Sequence, residues 1–219
     1  YLSDQPNWDC DETGTGPGRM RSDQHIDHYP GQVIDFSDQV DGAVAIWQPD
    51  TLSSSDQHAQ ITAMHDTQDN TSNEYGVVLR AQSADPTYAT HDGYHFLLGS
   101  VDPTVGTGTM TGMIFRCDNG THTALDSIEF DATDGIDNNY GCHVIGGSIV
   151  GDIATLYVNG EPRLTYDIGS DSTVYDTGGY VGWFGARSAS SAESQPFAIN
   201  WQAWRDGYNG VASQGARLQ

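Results

Sequence analysis

The chain has 219 residues, enough for one sizeable core, and 37% of them are hydrophobic, which excludes disorder for most of its length. It carries 30 acidic residues against 8 basic ones, all arginine, for a net charge of -22. Such a surface repels phosphate backbones and anionic bilayers, and no apolar stretch approaches the ~20 residues needed to span a membrane, so neither nucleic acid nor membrane insertion is expected. Two uses of the acidity remain: solubility in high salt or in a crowded assembly, and aspartate-rich loops that hold Ca²⁺, a cation that prefers hard oxygen ligands.

The sequence opens at Tyr1 rather than Met, as in a processed product or a fragment. Residues 1–30, rich in Gly, Pro and Asp around Gly14-Thr15-Gly16-Pro17-Gly18, read as an extended lead-in. From 31 to 206 short strand-like segments alternate with Gly, Asp, Ser and Thr clusters, the pattern of an antiparallel sandwich, and helical periodicity is almost absent. The predicted strands are Gln32–Phe36, Ala43–Trp47, Gln60–His65, Tyr75–Gln82, Gly93–Gly99, Thr111–Cys117, Leu125–Phe130, Cys142–Ile149, Ile153–Val158, Arg163–Tyr166, Tyr180–Ala186 and Phe197–Trp204. So many strands in one domain imply two large packed sheets. Asn159-Gly160 predicts a two-residue hairpin pairing Thr155–Val158 with Glu161–Tyr166. In the last strand Ile199, Trp201 and Ala203 alternate onto one face. Residues 207–219 read as a tail or linker.

Three cysteines complete no disulfide framework. Cys117 and Cys142 lie in strands one strand-length segment apart and form the candidate disulfide, worth ~3 kcal/mol on a chain-entropy model. Cys10 is then free or paired elsewhere. In the loop Asp131-Ala132-Thr133-Asp134-Gly135-Ile136-Asp137-Asn138-Asn139, the side chains of Asp131, Asp134, Asp137 and Asn138 offer oxygens for Ca²⁺, and Gly135 permits a bend. Asp-rich turns also form without an ion. His91 and His95 would stand about 13 Å apart on an extended strand, too far to chelate one ion, and zinc is not expected. Asn70-Thr71-Ser72 and Asn119-Gly120-Thr121 match the N-glycosylation sequon, both in expected loops.

Three passages in order carry a family resemblance. Tyr75-Gly76-Val77-Val78-Leu79-Arg80-Ala81 followed by Gly93-Tyr94-His95-Phe96-Leu97-Leu98 resembles a passage of laminin G-like and concanavalin A-like domains. Gly151-Asp152-Ile153-Ala154-Thr155-Leu156-Tyr157-Val158-Asn159-Gly160 is similar to their central hairpin, and Gly178-Gly179-Tyr180-Val181-Gly182-Trp183-Phe184 to a later strand. The resemblance covers residues 33–204 and implies an all-β, two-sheet antiparallel jelly roll. Its implied roles are glycan binding, protein binding, service as an accessory module on an enzyme, decoration of virus particles, and, in some members, glycoside hydrolysis or polysaccharide lysis. Fold alone does not choose among them.

The hydrolase signature of that family, Glu-x-Asp-x-Glu on one strand, is not reproduced: Asp126-Ser127-Ile128-Glu129-Phe130-Asp131 has different spacing. If the chain is an enzyme, Glu129 and Asp131 are the candidate carboxylates, and Arg80, Tyr94 and His95 the candidate lyase cluster. No nucleophile elbow or phosphate loop is present. Sugar binding needs exposed aromatic faces with planar polar neighbours. Among Trp8, Trp47, Trp183, Trp201 and Trp204, the last, with Arg205 beside it, is the preferred platform, and Arg80 and Tyr94 are further ligand-binding candidates. The expected function is a non-catalytic extracellular or virion-surface module that binds glycan or a neighbouring subunit, with a homo-oligomer or assembly as the other partner and Ca²⁺ as the cofactor.

Overall fold

The structure is a computed structural model that describes residues 8–11, 21–23, 33–35, 43–47, 54–64, 73–83, 91–100, 110–130, 134, 136, 142–177, 179–187 and 197–205. Their strands are β1 (Trp8–Asp11), β2 (Arg21–Asp23), β3 (Val33–Asp35), β4 (Ala43–Trp47), β5 (Gln57–Met64), β6 (Asn73–Ala81) and β7 (Gly93–Ser100). The series continues with β8 (Met110–Asp118), β9 (Thr121–Phe130), β10 (Cys142–Val150), β11 (Ile153–Val158), β12 (Glu161–Asp167), β13 (Tyr180–Arg187) and β14 (Phe197–Arg205).

They form two seven-stranded sheets, ordered β1-β4-β13-β6-β7-β8-β9 and β12-β11-β10-β5-β14-β3-β2. Hairpins build β6 to β9 in the first sheet and β10 to β12 in the second, while β13 and β14 return to lie beside β6 and β5. This is the all-β, two-sheet antiparallel jelly roll of the concanavalin A-like kind. The lead-in expected over 1–30 supplies β1 and β2, an edge strand for each sheet. The tail 207–219 and the sequon at Asn70 lie outside the described residues.

Strand alternation places the core between the sheets. Tyr75, Val77 and Leu79 of β6 and Tyr94, Phe96 and Leu98 of β7 meet Ala59, Ile61 and Ala63 of β5, Ile145 and Ile149 of β10, and Ala154, Leu156 and Val158 of β11. Burying each of the larger apolar side chains is worth about 1.5–3 kcal/mol. Trp183 is fully buried in this core, so it is no binding platform. A second apolar layer covers the other face of the first sheet, where Val78, Ala81, Leu97 and Phe184 are buried with Met113, Phe115 and Tyr180 against them.

Two hairpins turn on Asn-Gly pairs. Asn159 and Gly160 have φ of 54° and 83° between β11 and β12, and Asn119 and Gly120 have φ of 48° and 75° between β8 and β9. Both pairs take the left-handed conformations that a type I′ turn requires.

Candidate functional site

The second turn sets Cys117 directly across from His122, because the two residues are cross-strand partners of β8 and β9. On the other side Cys117 pairs with Gly93 of β7, and His95 lies two residues further along β7. His91 precedes β7 and returns over the group. Its carbonyl accepts the Gly120 backbone N–H at 3.0 Å and the Cys117 thiol at 3.3 Å. Gly93 permits this bend with φ of 152°, and a Cβ there would come within 3.1 Å of the Ala81 backbone. The sequence expectation that His91 and His95 stand far apart is therefore corrected: their Nε2 atoms are 2.7 Å apart and their rings stack at 4.8 Å. The chain is not extended through Gly93, so the spacing of a straight strand does not apply.

His91, His95, Cys117 and His122 each present one donor atom, and these atoms all lie within 4.8 Å of one another. His91, His95 and Cys117 are buried and His122 is partly so. The Cys117 sulfur also approaches His91 Nδ1 at 3.9 Å. Burial holds the His95 imidazole well below its ordinary range, helped by the neighbouring His91 and His122. His122 falls to about 4 through burial and then His91, and burial pushes the Cys117 thiol up to about 12.

Cys117 is a free thiol, and the expected Cys117–Cys142 disulfide is corrected accordingly. Cys117 stands on β8 of the first sheet, among the histidines, whereas Cys142 opens β10 of the second. Strands close in sequence fell on different sheets.

The residues following His91 and Cys117 form an outer support. Asp92 Oδ1 and Asp118 Oδ1 both accept from the Tyr175 hydroxyl, at 3.1 and 2.8 Å. Asp92 also accepts the Asn119 N–H at 2.6 Å, which seats the β8–β9 turn. Arg116 donates to Asp118 Oδ2 at 2.8 Å and reaches Asp171 at 3.5 Å.

Arg80 and Tyr94 do come together, but inside the protein. Arg80 is only 1% exposed, and its guanidinium donates to the carbonyls of Ser55, Tyr175 and Gly151, each at 2.8 Å. Its φ of 49°, at a register shift opposite Tyr180 and Gly182, marks a β-bulge that turns the side chain toward the second sheet. The Tyr94 hydroxyl accepts the Tyr175 N–H at 3.2 Å. Both were expected to serve a ligand or a lyase reaction; both are instead committed to joining the sheets. His95 points to the opposite face from Tyr94, so the expected trio does not converge. Glu129 is exposed on β9, an edge strand. Asp134 is exposed, and Asp131, Asp137 and Asn138 lie outside the described residues.

The outer face of the second sheet is polar. His58, Gln60 and Thr62 of β5 alternate with its core residues, and Ser148 of β10 and Thr155 and Tyr157 of β11 join them, with His58 and Ser148 buried. Trp204, His58 and Ser148 share one cross-strand row, with Arg205 paired to Gln57 in the next. The His58 and Tyr157 rings meet edge-on at 5.7 Å.

The comparisons with solved structures agree with this architecture. The chain is similar to the carbohydrate-binding module CBM66 from Bacillus subtilis, with a TM-score of 0.56, 13% identity and coverage of 90% of this chain and 94% of that one. It is similar to the potassium-bound carbohydrate recognition domain of Emp46p, with a TM-score of 0.59, 8% identity and coverage of 92% and 89%. A legume lectin-like domain from Entamoeba histolytica aligns at a TM-score of 0.54, 8% identity and coverage of 91% and 90%. At these identities the likeness is one of fold: the chain is a concanavalin A-like jelly roll. No family model matches the sequence, and no curated protein matches it.

Proposed function

We propose that this chain is a non-catalytic glycan-recognition module that works outside the cytoplasm, on a cell surface or a virion. The observation that carries the reading is the backbone register of β14, which sets Trp204 beside His58 of β5 and Arg205 beside Gln57 in the next row. A tryptophan followed by an arginine is a pair of residue types suited to the apolar faces and hydroxyls of a sugar. Two further facts support it. The carbohydrate-binding module and recognition domains named above match this chain over nearly their whole length. Arg80 and Tyr94, two of the side chains that an enzyme reading would use, are already engaged by the protein's own backbone. Asp131, Asp134, Asp137 and Asn138 are the Ca²⁺ candidates of the same reading.

The test is a polysaccharide panel incubated with the purified protein, scoring retention and chain cleavage together. Retention without cleavage, abolished by Trp204→Ala and weakened by Arg205→Ala in folded protein, is the expected result. Retention lost on chelation and restored by Ca²⁺ alone assigns the calcium. Cleavage of any polymer overturns the non-catalytic reading and makes Glu129→Gln the next variant. Binding to a second copy of the chain without glycan retention would move the role to an assembly subunit.

A further inference from the structure

We propose that His91, His95, Cys117 and His122 hold one zinc-type divalent transition-metal ion that pins β7, β8 and β9 together on the outer face of the first sheet. The inference is independent of glycan binding, since these residues lie on the other sheet from the Trp204 row.

The donor chemistry selects the class of ion. Three imidazoles and a thiolate are borderline-to-soft ligands that suit zinc and its neighbours, whereas Ca²⁺ and Mg²⁺ require oxygens. A tetrahedral ion of this kind keeps its nitrogen and sulfur donors ~3–4 Å apart. The four donor atoms, all within 4.8 Å of one another, already occupy a space of that size.

The surroundings argue that this placement has a purpose. Collecting three imidazoles and a thiol on an apolar face beside Phe115 and Phe184 costs desolvation energy. A bound ion offsets that cost, because ligation replaces the lost solvation. The scaffold is fixed without the ion: the Asn119-Gly120 turn sets Cys117 opposite His122, the His91 carbonyl grips that turn, and Asp92 and Asp118 anchor the adjoining backbone through Tyr175. Four protein ligands leave no coordination position for a substrate, so the ion has a structural role. It ties the segment before β7 to both strands of the β8–β9 hairpin.

The experiment uses the full chain, reduced, stripped with a chelator and then titrated with Co²⁺ as a spectroscopic probe. The expected result is uptake of one Co²⁺ per chain, with the intense visible bands of a tetrahedral site and a near-ultraviolet thiolate-to-cobalt charge-transfer band, all displaced by Zn²⁺. Cys117→Ser removes the charge-transfer band. His122→Gln, which alters the partly exposed ligand and is better tolerated by the fold, weakens uptake by about tenfold or more. Zn²⁺ raises the melting temperature of the wild type and not that of the protein carrying both Cys117→Ser and His122→Gln. Wild-type protein that takes up well under one ion per chain overturns the proposal, whatever the variants do. So does a charge-transfer band that survives in folded Cys117→Ser. Either result leaves the four residues as a buried hydrogen-bonded cluster only.

Discussion

The imidazoles of His91 and His95 face each other with Nε2 atoms 2.7 Å apart, although the two residues are four apart in the chain. At that distance one nitrogen donates and the other accepts, so a single proton lies between them. A fully extended segment would separate the residues by about 13 Å. Gly93, two residues on from His91, closes the gap by adopting a conformation that a side-chain-bearing residue would resist.

The β8–β9 turn is the place to separate fold from ion binding. Gly120→Ala and Gly160→Ala each put a side chain on a left-handed residue, with φ of 75° and 83°, and each is expected to cost about 1 kcal/mol in urea unfolding. Of the two glycines only Gly120 donates its backbone N–H to the His91 carbonyl, so strain there shifts a ligand-bearing segment and only Gly120→Ala lowers Co²⁺ affinity. Equal affinity losses in the two variants would contradict the assignment of the turn as a ligand scaffold.

Arg80 is expected to be the most sensitive polar residue in the sandwich. Arg80→Met strands the carbonyls of Ser55, Gly151 and Tyr175 and destabilises the protein by about 3–5 kcal/mol. Arg80→Lys keeps the charge, cannot span all three carbonyls and falls between. Urea midpoints checked against an unchanged slope measure both. Losses under about 1 kcal/mol for Arg80→Met would refute the clamp.

Acid sensitivity has an identifiable contributor in His58. Burial lowers its imidazole to about 4, against the opposing hydrogen bond with Gln60. The unfolded chain takes up this proton from about pH 6.5 downward, the folded chain only near pH 4, so stability is present above 6.5 and lost as pH falls through that window. The loss attributable to this residue is on the order of 3 kcal/mol at most. Unfolding free energies of wild type and His58→Gln, both in chelator so that no metal contributes and the other histidines titrate alike in the two proteins, should converge as pH falls from 6.5 to 4. Parallel curves would remove His58 from the account.

The net charge of -22 predicts a melting temperature that rises with monovalent salt as the like charges are screened. A scan in NaCl against uncharged osmolyte distinguishes screening from general exclusion effects. A flat salt response would show that the carboxylates are already compensated.

Much of the fold was legible because strand alternation and Asn-Gly turns are local signals. The hairpin predicted at Asn159-Gly160, with Thr155–Val158 against Glu161–Tyr166, formed within the observed strands Ile153–Val158 and Glu161–Asp167. The edge strands β1 and β2 escaped, since three or four residues amid Gly and Pro give no periodicity. The disulfide misassignment arose because adjacency in sequence does not report which sheet a strand joins, and the chain changes sheets between β9 and β10. Arg80 looked available because alternation puts it opposite Leu79, and a bulge at a non-glycine residue has no sequence mark. The metal cluster had one overlooked signal. In Cys117-Asp118-Asn119-Gly120-Thr121-His122 a two-residue hairpin turn sits symmetrically between a cysteine and a histidine, which makes them cross-strand partners. Its other half, the bend at Gly93, had to be seen.

The Arg80 clamp also gives the sandwich a hinge side. One guanidinium fastens the approach to β5, the β10–β11 turn and the segment before β13, so the two sheets are riveted at that end. Local opening then begins away from the rivet, and amide protons near Ser55, Gly151 and Tyr175 exchange last, with the global unfolding of the domain.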